Sequence, residues 1–164
     1  MQNRTRVGIG FDAHPLVTGR RLVLGGTDIP FEKGLSGWSD ADALTHAIID
    51  ALLGAAGLGD IGSHFPPDEP SLKDISSLIL LERINARLKE NDWRVSYIDA
   101  TVVTEQPRLI DHIDRMRHQL AQTLGVDKGQ VSVKASTANG LGVIGEGEGI
   151  AAYAVAMIER ENSK

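Results

Sequence analysis

The apolar and polar positions along the chain follow two patterns, one typical of strands and one typical of helices. Short apolar or alternating runs predict five strands, at residues 6–11, 21–24, 97–104, 131–135 and 150–158. A period of about 3.6 predicts three helices, at residues 39–56, 74–91 and 109–124. Gly25-Gly26 favours a turn after the second strand, and Gly125 favours the end of the last helix.

The first predicted helix has two distinct faces. Its apolar stripe consists of Leu44, Ile48, Ala51, Leu52 and Ala55. On the opposite side Asp42, His46 and Asp50 follow one another at four-residue steps and therefore share a face. Ser39 suits the N-cap and Asp42 the third helical position, while Gly57 suits the end. One face is thus expected in the core, and the other offers an imidazole between two carboxylates.

The second predicted helix is less regular. Its apolar face consists of Leu78, Leu81, Ile84 and Leu88. Ser77 falls within the same face and interrupts the apolar stripe near the start of the helix.

The last predicted strand is apolar on both faces. Ile150, Ala152, Ala154, Ala156 and Ile158 face one way, and Ala151, Tyr153, Val155 and Met157 face the other. A strand of this kind is buried on both sides. Three helices could cover one face of the sheet, so the second face favours an oligomer packed sheet to sheet. The alternative is a monomer whose helices cover both faces of the sheet.

Composition narrows the class of protein. A chain of 164 residues most simply forms one domain, residues 1–164, around one core. The net charge of −5 argues against a nucleic-acid partner, which usually requires a basic face. No apolar run reaches the roughly 20 residues of a membrane helix, and no export signal follows the first residues, so we expect a cytoplasmic protein. Because the chain has no cysteine, any zinc must be bound by histidine and carboxylate.

Asp12 and His14 lie two residues apart at the end of the first predicted strand, so both side chains project from the same face. His46, from the first predicted helix, can complete the set. One carboxylate oxygen and two imidazole nitrogens suit a catalytic zinc site with a fourth position open. The alternative is a capped turn with a hydrogen-bonded histidine. Asp50, one helical turn beyond His46, is either an acceptor for that imidazole or a solvated carboxylate.

Two further segments carry candidate binding groups. The loop at residues 59–68 places two acidic residues between glycines and prolines, which suits sugar hydroxyls or a simple helix exit. Residues 134–139 end a strand with one lysine and two hydroxyls, which suit phosphate oxygens. The glycine-rich stretch that follows is not a P-loop, because the Gly-Lys-Ser/Thr ending is missing. We expect His64, His112 and His118 to be surface or structural residues.

Ordered blocks along the chain resemble one enzyme family. They are Gly10-Phe11-Asp12-x-His14, Ser39-Asp40-Ala41-Asp42 with His46, residues 50–56 and 58–62, Phe65-Pro66, Gln106-Pro107, Val133-Lys134-Ala135 and residues 147–151. Their order is similar to that of the 2-C-methyl-D-erythritol 2,4-cyclodiphosphate synthase family of the non-mevalonate isoprenoid pathway. The resemblance spans nearly the whole chain without a large insertion.

The resemblance implies a fold, an assembly and a reaction. The implied subunit is α/β (α+β), with a mixed β-sheet and helices on one face. Three subunits would form a homotrimer whose sheets surround a central apolar cavity, with active sites between neighbours. The implied substrate is 4-diphosphocytidyl-2-C-methyl-D-erythritol 2-phosphate, whose 2-phosphate attacks the β-phosphorus of the diphosphate. The cyclic diphosphate forms and CMP leaves, so the enzyme would be a metal-dependent phosphorus–oxygen lyase that works by positioning and charge neutralisation.

The resemblance also implies metal and catalytic residues. Zinc would be bound by Asp12, His14 and His46, and a second divalent cation, Mg²⁺ or Mn²⁺, would bridge the diphosphate. Catalytic roles fall on Trp38 and Thr137.

The implied substrate contacts extend over much of the chain. They are Asp12, His14, Trp38, Ser39, Asp60, Ile61, Gly62, Phe65, Asp68, Thr104, Glu105, Gln106, Pro107, Arg108, Leu109, Ile110, Lys134, Ser136, Thr137, Asn139, Val143 and Glu146. Asp60 and Gly62 would contact the erythritol. The stretch 104–110, together with the lysine and hydroxyls that end the 131–135 strand, would contact the cytidine diphosphate.

Four positions depart from the family pattern. Trp38 stands where a histidine is common, so an imidazole that contacts phosphate is lost, although the indole N–H can donate one hydrogen bond. Pro67 stands where an aspartate is common, with Asp68 beside it as a substitute. Asn139 replaces a glutamate expected to bind the second metal, which weakens that site. Glu146 replaces an arginine near the central cavity and reverses its charge. None of the four removes a zinc ligand.

Two other functions are compatible with the same residues. A zinc-dependent phosphohydrolase would let water attack instead of the 2-phosphate. A non-catalytic trimer would only bind an isoprenoid or nucleotide ligand. Product identification separates the first from a cyclase, and turnover excludes the second.

Overall fold

The computed structural model describes residues 5–160, which contain a mixed five-stranded sheet and a separate hairpin. The strands are β1 (Thr5–Thr18), β2 (Leu22–Leu24), β3 (Thr27–Ile29), β4 (Lys33–Leu35), β5 (Trp93–Val103), β6 (Val131–Ser136) and β7 (Gly149–Arg160). The large sheet has the order β4-β1-β7-β5-β6, and β2 pairs with β3. Within the large sheet β5 and β6 run parallel, and the other pairs are antiparallel.

The three predicted long helices are present and begin later than predicted. The helices are α1 (Ala43–Ala56), α2 (Ile61–His64), α3 (Ser77–Glu90), α4 (Ile113–Leu124) and α5 (Gly142–Gly145). The short α2 and α5, like β3 and β4, have too few residues to show a periodic pattern. The predicted end of α4 is confirmed, since Gly125 is left-handed at its C-cap.

The start of α1 was predicted wrongly. Its N-cap is Asp42, not Ser39, because an Asp42 carboxylate oxygen accepts the Thr45 N–H at 3.0 Å. The same buried carboxylate also accepts the N–H groups of Gly25 and Gly26, at 2.9 and 2.8 Å. The turn between β2 and β3 is thereby fixed to the first turn of α1. Burial raises the pKa of Asp42, and the hydrogen bonds from Thr45 and from the Gly26 N–H oppose that effect.

Helix α1 packs directly on β1 because two glycines leave room for it. A Cβ at Gly8 would lie 2.0 Å from the carbonyl oxygen of Ala51, and one at Gly10 would lie 1.8 Å from that of Ala47. Asp12 and His14 continue the same face of β1, since alternate residues of a strand point the same way. The close packing therefore brings the polar face of α1 beside these two side chains.

The helices cover one face of the large sheet, as predicted, and leave the other face open. On the covered face Ala152, Ala154 and Ala156 of β7 are fully or almost fully buried. On the open face Val7, Ile9, Phe11, Tyr153 and Val155 are 44–73% exposed. The alternative in which helices cover both faces of the sheet is therefore wrong for residues 5–160. None of the helices in that range is both long and apolar enough to cross a membrane.

Candidate metal centre and adjoining clefts

Three side chains converge where β1 meets α1. Oδ2 of Asp12 lies 2.8 Å from Nε2 of His14 and 3.2 Å from Nδ1 of His46. One ligand atom from each residue lies within 4.8 Å of the others. The predicted grouping of these three residues is confirmed, and we call it the triad.

The triad fits a cation because Nε2 of His14, which carries no proton when the ring is neutral, faces the Asp12 carboxylate at 2.8 Å. Nδ1 of His14 lies 2.8 Å from the carbonyl oxygen of Ser36, which can only accept, so Nδ1 carries the proton. Nε2 of a neutral His14 therefore has a lone pair directed at the Asp12 carboxylate. Among the described residues this buried Nε2 has no partner with hydrogen-bond geometry. Two facing lone pairs repel each other, and a cation between them removes the repulsion.

Burial and the contacts within the triad have opposite effects on the pKa values of Asp12 and His14. Burial alone would raise the pKa of Asp12, but contacts with both histidines outweigh it and lower the pKa. Burial alone would lower the pKa of His14, but the neighbouring Asp12 carboxylate outweighs it and raises the pKa. Asp12 is therefore ionised near neutral pH, and a proton would compete with any cation for the imidazole of His14.

Of the two alternatives for Asp50, the one in which it is a hydrogen-bond acceptor for His46 is wrong. An Asp50 carboxylate oxygen accepts the backbone N–H of Ile61 at 2.7 Å and thus supports the start of α2. Nε2 of His46 instead lies 2.8 Å from Oγ of Ser77 and 3.3 Å from Oγ of Ser39. Burial raises the pKa of Asp50, while the Ile61 N–H opposes that effect.

A cleft of about 260 Å³ opens beside the triad, and we call it the metal cleft. Its lining includes the predicted residues His14, Trp38, Ser39, His46, Ile61, Gly62 and Phe65. Pro67 also lines this cleft, whereas Asp68 is exposed and is not part of the lining. Asp68 is thus poorly placed to substitute for the aspartate that is common at position 67.

Trp38 lies in the metal cleft, but its polar group is already used. The indole N–H donates to the carbonyl oxygen of Glu69 at 2.8 Å. The one hydrogen bond that the indole N–H can donate is therefore made within the subunit. Nζ of Lys73 lies 5.9 Å from the centre of the Trp38 ring, so a cation lies near the indole face.

Asp60 stabilises the loop that borders the metal cleft. One of its carboxylate oxygens accepts from the N–H and the hydroxyl of Ser63, at 2.8 and 2.7 Å. These bonds lower the pKa of Asp60, so this exposed carboxylate is ionised near neutral pH. Asp60 is the N-cap of α2, which holds Ile61 and Gly62 against the cleft.

A second cleft, of about 170 Å³, lies where β5 and β6 end. Its lining is Thr104, Glu105, Pro107, Arg108, Leu109, Ile110, Ile113, Ala135, Ser136 and Thr137. The Thr104 N–H donates to the Ser136 carbonyl at 3.0 Å, and a Glu105 carboxylate oxygen accepts the Ala138 N–H at 2.7 Å. We call it the strand-end cleft. Nearly all of these residues were predicted to form one binding region. Gln106 was predicted for the same region but is not in the lining.

Neither cleft is lined by the predicted substrate contacts Lys134, Asn139, Val143 or Glu146. Lys134 lies on the open face of the sheet, beside Thr101 in the parallel register, and forms an ion pair with Asp99. Asn139 accepts the Thr137 hydroxyl through its side-chain oxygen at 3.2 Å. Val143 in α5 and Glu146 just after it are both exposed. Among residues 5–160, Glu146 forms no salt bridge.

The remaining histidines lie away from the triad, as expected. His64 contacts the carbonyl of Leu58 through Nε2 at 2.8 Å, and His112 is the N-cap residue of α4. His118 is an exposed residue of the same helix. Sequence reasoning missed Ser36 and Ser77, which contact the triad histidines. For Ser77 a sign was present, since it interrupts the apolar face of α3.

The match to a family model decides the relationship of this chain to known proteins. Residues 5–159 match the model described as the YgbB family. The chain belongs to the YgbB family. The match includes the triad, both clefts and every strand of the large sheet.

Individual relatives and solved structures are also similar to this chain. The 2-C-methyl-D-erythritol 2,4-cyclodiphosphate synthase of Dehalococcoides mccartyi is 54% identical over 156 residues, which cover 95% of this chain and 99% of that protein. The structure of the bifunctional IspDF from Campylobacter jejuni matches with a TM-score of 0.92 and 36% identity, over 96% of this chain and 42% of that one. The CDP complex of IspF from Plasmodium falciparum matches with a TM-score of 0.86 and 29% identity, over 99% and 100% of the two chains.

Proposed function

We propose that this protein is a 2-C-methyl-D-erythritol 2,4-cyclodiphosphate synthase. It converts 4-diphosphocytidyl-2-C-methyl-D-erythritol 2-phosphate to the cyclic diphosphate with release of CMP, in the non-mevalonate isoprenoid pathway. The relative from Dehalococcoides mccartyi carries this name and matches nearly full length. The observation that carries the proposal is the triad, in which nitrogens of two imidazoles, Nε2 of His14 and Nδ1 of His46, meet one Asp12 oxygen.

The proposed resident metal is zinc, bound by Asp12, His14 and His46. Two imidazoles and one carboxylate form a donor set that zinc uses in catalytic sites, where a fourth position stays open. Bound zinc would supply Lewis-acid charge to a phosphoryl oxygen. The triad faces the metal cleft through His14 and His46, so a phosphate in that cleft would reach the open position.

The two clefts are proposed to bind different parts of the substrate. The metal cleft, with Gly62 and Asp60 at its border, would bind the methylerythritol phosphate. The strand-end cleft would bind the cytidine diphosphate. The similar structure of IspF from Plasmodium falciparum is a CDP complex, which supports the binding of a nucleotide by this fold. The Ser136 and Thr137 hydroxyls at its edge can donate to phosphate oxygens.

The reaction needs no protein nucleophile. An oxygen of the substrate's own 2-phosphate forms the new bond to the β-phosphorus, and the bond from that phosphorus to the CMP oxygen breaks. The residues of the chain act by holding the two phosphates in line, and effective concentration supplies much of the rate. Within this scheme Thr137 orients the diphosphate and Trp38 closes one side of the metal cleft.

We propose that the active protein is a homotrimer. The open face of the sheet exposes large apolar side chains, which a second copy could cover. The two clefts share no lining residue, so one subunit divides the binding groups between two places. Packing of copies around the open faces would let the metal cleft of one meet the strand-end cleft of the next.

A second divalent cation on the diphosphate is also proposed, as Mg²⁺ or Mn²⁺. Asn139 would offer it a neutral oxygen in place of a carboxylate, and that oxygen lies 3.2 Å from the Thr137 hydroxyl. A neutral ligand binds such a cation more weakly than a charged one.

Two broader expectations stay predictions, namely one domain over residues 1–164 and a cytoplasmic location.

Turnover with identified products tests the proposal. The protein is stripped with a chelator, reloaded with zinc plus Mg²⁺, and incubated with the named substrate. Mass spectrometry should find equal amounts of CMP and the cyclic diphosphate, with little turnover before reloading. Free phosphate or a linear product would indicate a phosphohydrolase, and absence of turnover in the reloaded protein would indicate a binding protein.

A further inference from the structure

A chain of polar contacts leads from the triad into the start of α3. Oγ of Ser77 lies 2.8 Å from Nε2 of His46, on the side of the ring away from Asp12. The same hydroxyl contacts one carboxylate oxygen of Asp40, whose second oxygen accepts the Ser77 N–H at 3.0 Å. Ser77 is completely buried, so solvent does not compete for its hydroxyl.

The contacts of Ser77 determine where its single proton lies. Asp40 also accepts the backbone N–H of Asp42 at 3.2 Å, so both of its carboxylate oxygens already act as hydrogen-bond acceptors. The Ser77 hydroxyl therefore donates to Asp40, and an oxygen lone pair faces His46. That lone pair requires a proton on Nε2 of His46. Ser39 is compatible with this direction, since its Oγ accepts the Ala41 N–H and has a second lone pair, 3.3 Å from the same Nε2.

This proton placement matters because Asp12 favours the opposite one. Oδ2 of Asp12 lies 3.2 Å from Nδ1 of His46 and would accept a proton placed on that nitrogen. A proton on Nδ1 occupies the lone pair that a metal ion needs. The buried Ser77 oxygen competes with Asp12 for the position of one proton, and the outcome decides whether Nδ1 is a ligand atom.

We propose that Ser77 and Asp40 are positioning residues that fix His46 in the Nε2–H tautomer and thereby prepare Nδ1 for zinc. The inference rests on the proposed function, in which His46 is a zinc ligand. A hydrogen-bond partner behind a metal-bound histidine fixes its tautomer and ring orientation, and its loss typically weakens metal binding about 10–100-fold.

The test compares Ser77→Ala with Ser76→Ala. Ser76 is the neighbouring N-cap residue and makes no side-chain capping bond, so its loss should leave both readouts unchanged. Zinc dissociation constants come from competition with a chromophoric chelator, using Zn²⁺ alone. Histidine tautomers of the metal-free full-length proteins come from long-range proton–nitrogen NMR spectra, at a pH where the ring of His46 is neutral.

The wild-type protein should show His46 with its proton on Nε2. Ser77→Ala should move the proton to Nδ1 and raise the zinc dissociation constant about 10–100-fold. Ser77→Thr, which keeps the hydroxyl, should restore both toward wild type. A wild-type His46 with the proton on Nδ1 would overturn the proposal even if Ser77→Ala fails to fold.

Other outcomes separate this inference from the proposed function. If wild-type protein binds zinc tightly and Ser77→Ala changes neither the tautomer nor the affinity, the inference is wrong and the zinc site stands. An affinity loss without a tautomer change would also overturn it, since that result indicates only packing. If wild-type protein does not bind zinc, both the metal site and the inference fail.

Discussion

Gly10 of β1 lies directly beneath the carbonyl oxygen of Ala47 in α1. A Cβ at position 10 would approach that oxygen to 1.8 Å, a distance that no adjustment of a side chain can relieve. His46 precedes Ala47, and Asp12 follows Gly10 on the same face of the strand. The contact that allows the helix to pack closely thus also sets the distance between His46 and Asp12.

Gly10→Ala should therefore destabilise the protein and weaken the triad together. We expect a loss of about 1–3 kcal/mol or more in the free energy of unfolding, because the added methyl group meets backbone. Denaturant unfolding and zinc titration measure the two effects. Gly129→Ala is the matched control, since a Cβ there meets no atom within 4 Å. Unchanged stability and zinc affinity in Gly10→Ala would contradict the close packing.

His46→Ala should abolish tight zinc binding and activity while the oligomer persists. His46 supplies one of three proposed ligands, whereas α1 is held by buried residues such as Leu44, Ile48 and Leu52. Metal analysis and size-exclusion chromatography check the two parts. His118→Ala, an exposed histidine of α4, should keep its zinc. Full zinc occupancy in a folded His46→Ala protein would show that the ligand assignment is wrong.

Asn139→Glu should lower the Mg²⁺ or Mn²⁺ concentration needed for half-maximal rate. A carboxylate adds a negative charge at the proposed second cation, which strengthens binding. Steady-state rates over a metal titration provide the measurement. Asn139→Gln, which adds length but no charge, serves as the control and should not lower the requirement. An equal or higher metal requirement in Asn139→Glu would count against Asn139 facing the diphosphate.

Glu146 should keep anionic isoprenoids out of the proposed central cavity. Three symmetry-related glutamates near a threefold axis would repel a diphosphate, since like charges interact strongly where solvent is limited. Mass spectrometry of gently extracted wild-type protein should find no stoichiometric isoprenoid diphosphate. Glu146→Arg should increase retention of such a compound, and Glu146→Gln should have a smaller effect. A stoichiometric isoprenoid diphosphate on the wild-type protein would contradict this prediction.

The long elements could be predicted from the sequence because each has enough residues to show its period. The apolar stripe of α1 and the two-faced apolar pattern of β7 led to helices on one face and an open second face. The start of α1 could not be placed, because both Ser39 and Asp42 are good capping residues. The choice depends on Gly25 and Gly26, which bond to Asp42 from a distant turn.

The triad could be predicted because strand spacing puts Asp12 and His14 on one face and the chain has only five histidines and no cysteine. The residues that form hydrogen bonds with the two histidines could not be predicted. Asp50 stood one helical turn from His46 and was the natural local choice, but its carboxylate supports α2 instead. The actual contact, Ser77, lies 31 positions away in sequence, and only the interruption of an apolar stripe hinted at it.

Turnover in ¹⁸O-labelled water tests the central claim most directly. In cyclisation the attacking oxygen belongs to the substrate's own 2-phosphate, so neither product should contain oxygen from water. We predict that CMP and the cyclic diphosphate formed by the zinc-loaded protein both carry unlabelled phosphates, as measured by mass spectrometry. Incorporation of one ¹⁸O atom into either phosphate-containing product would show that water attacks phosphorus, and would contradict the assignment of this protein as a cyclising enzyme.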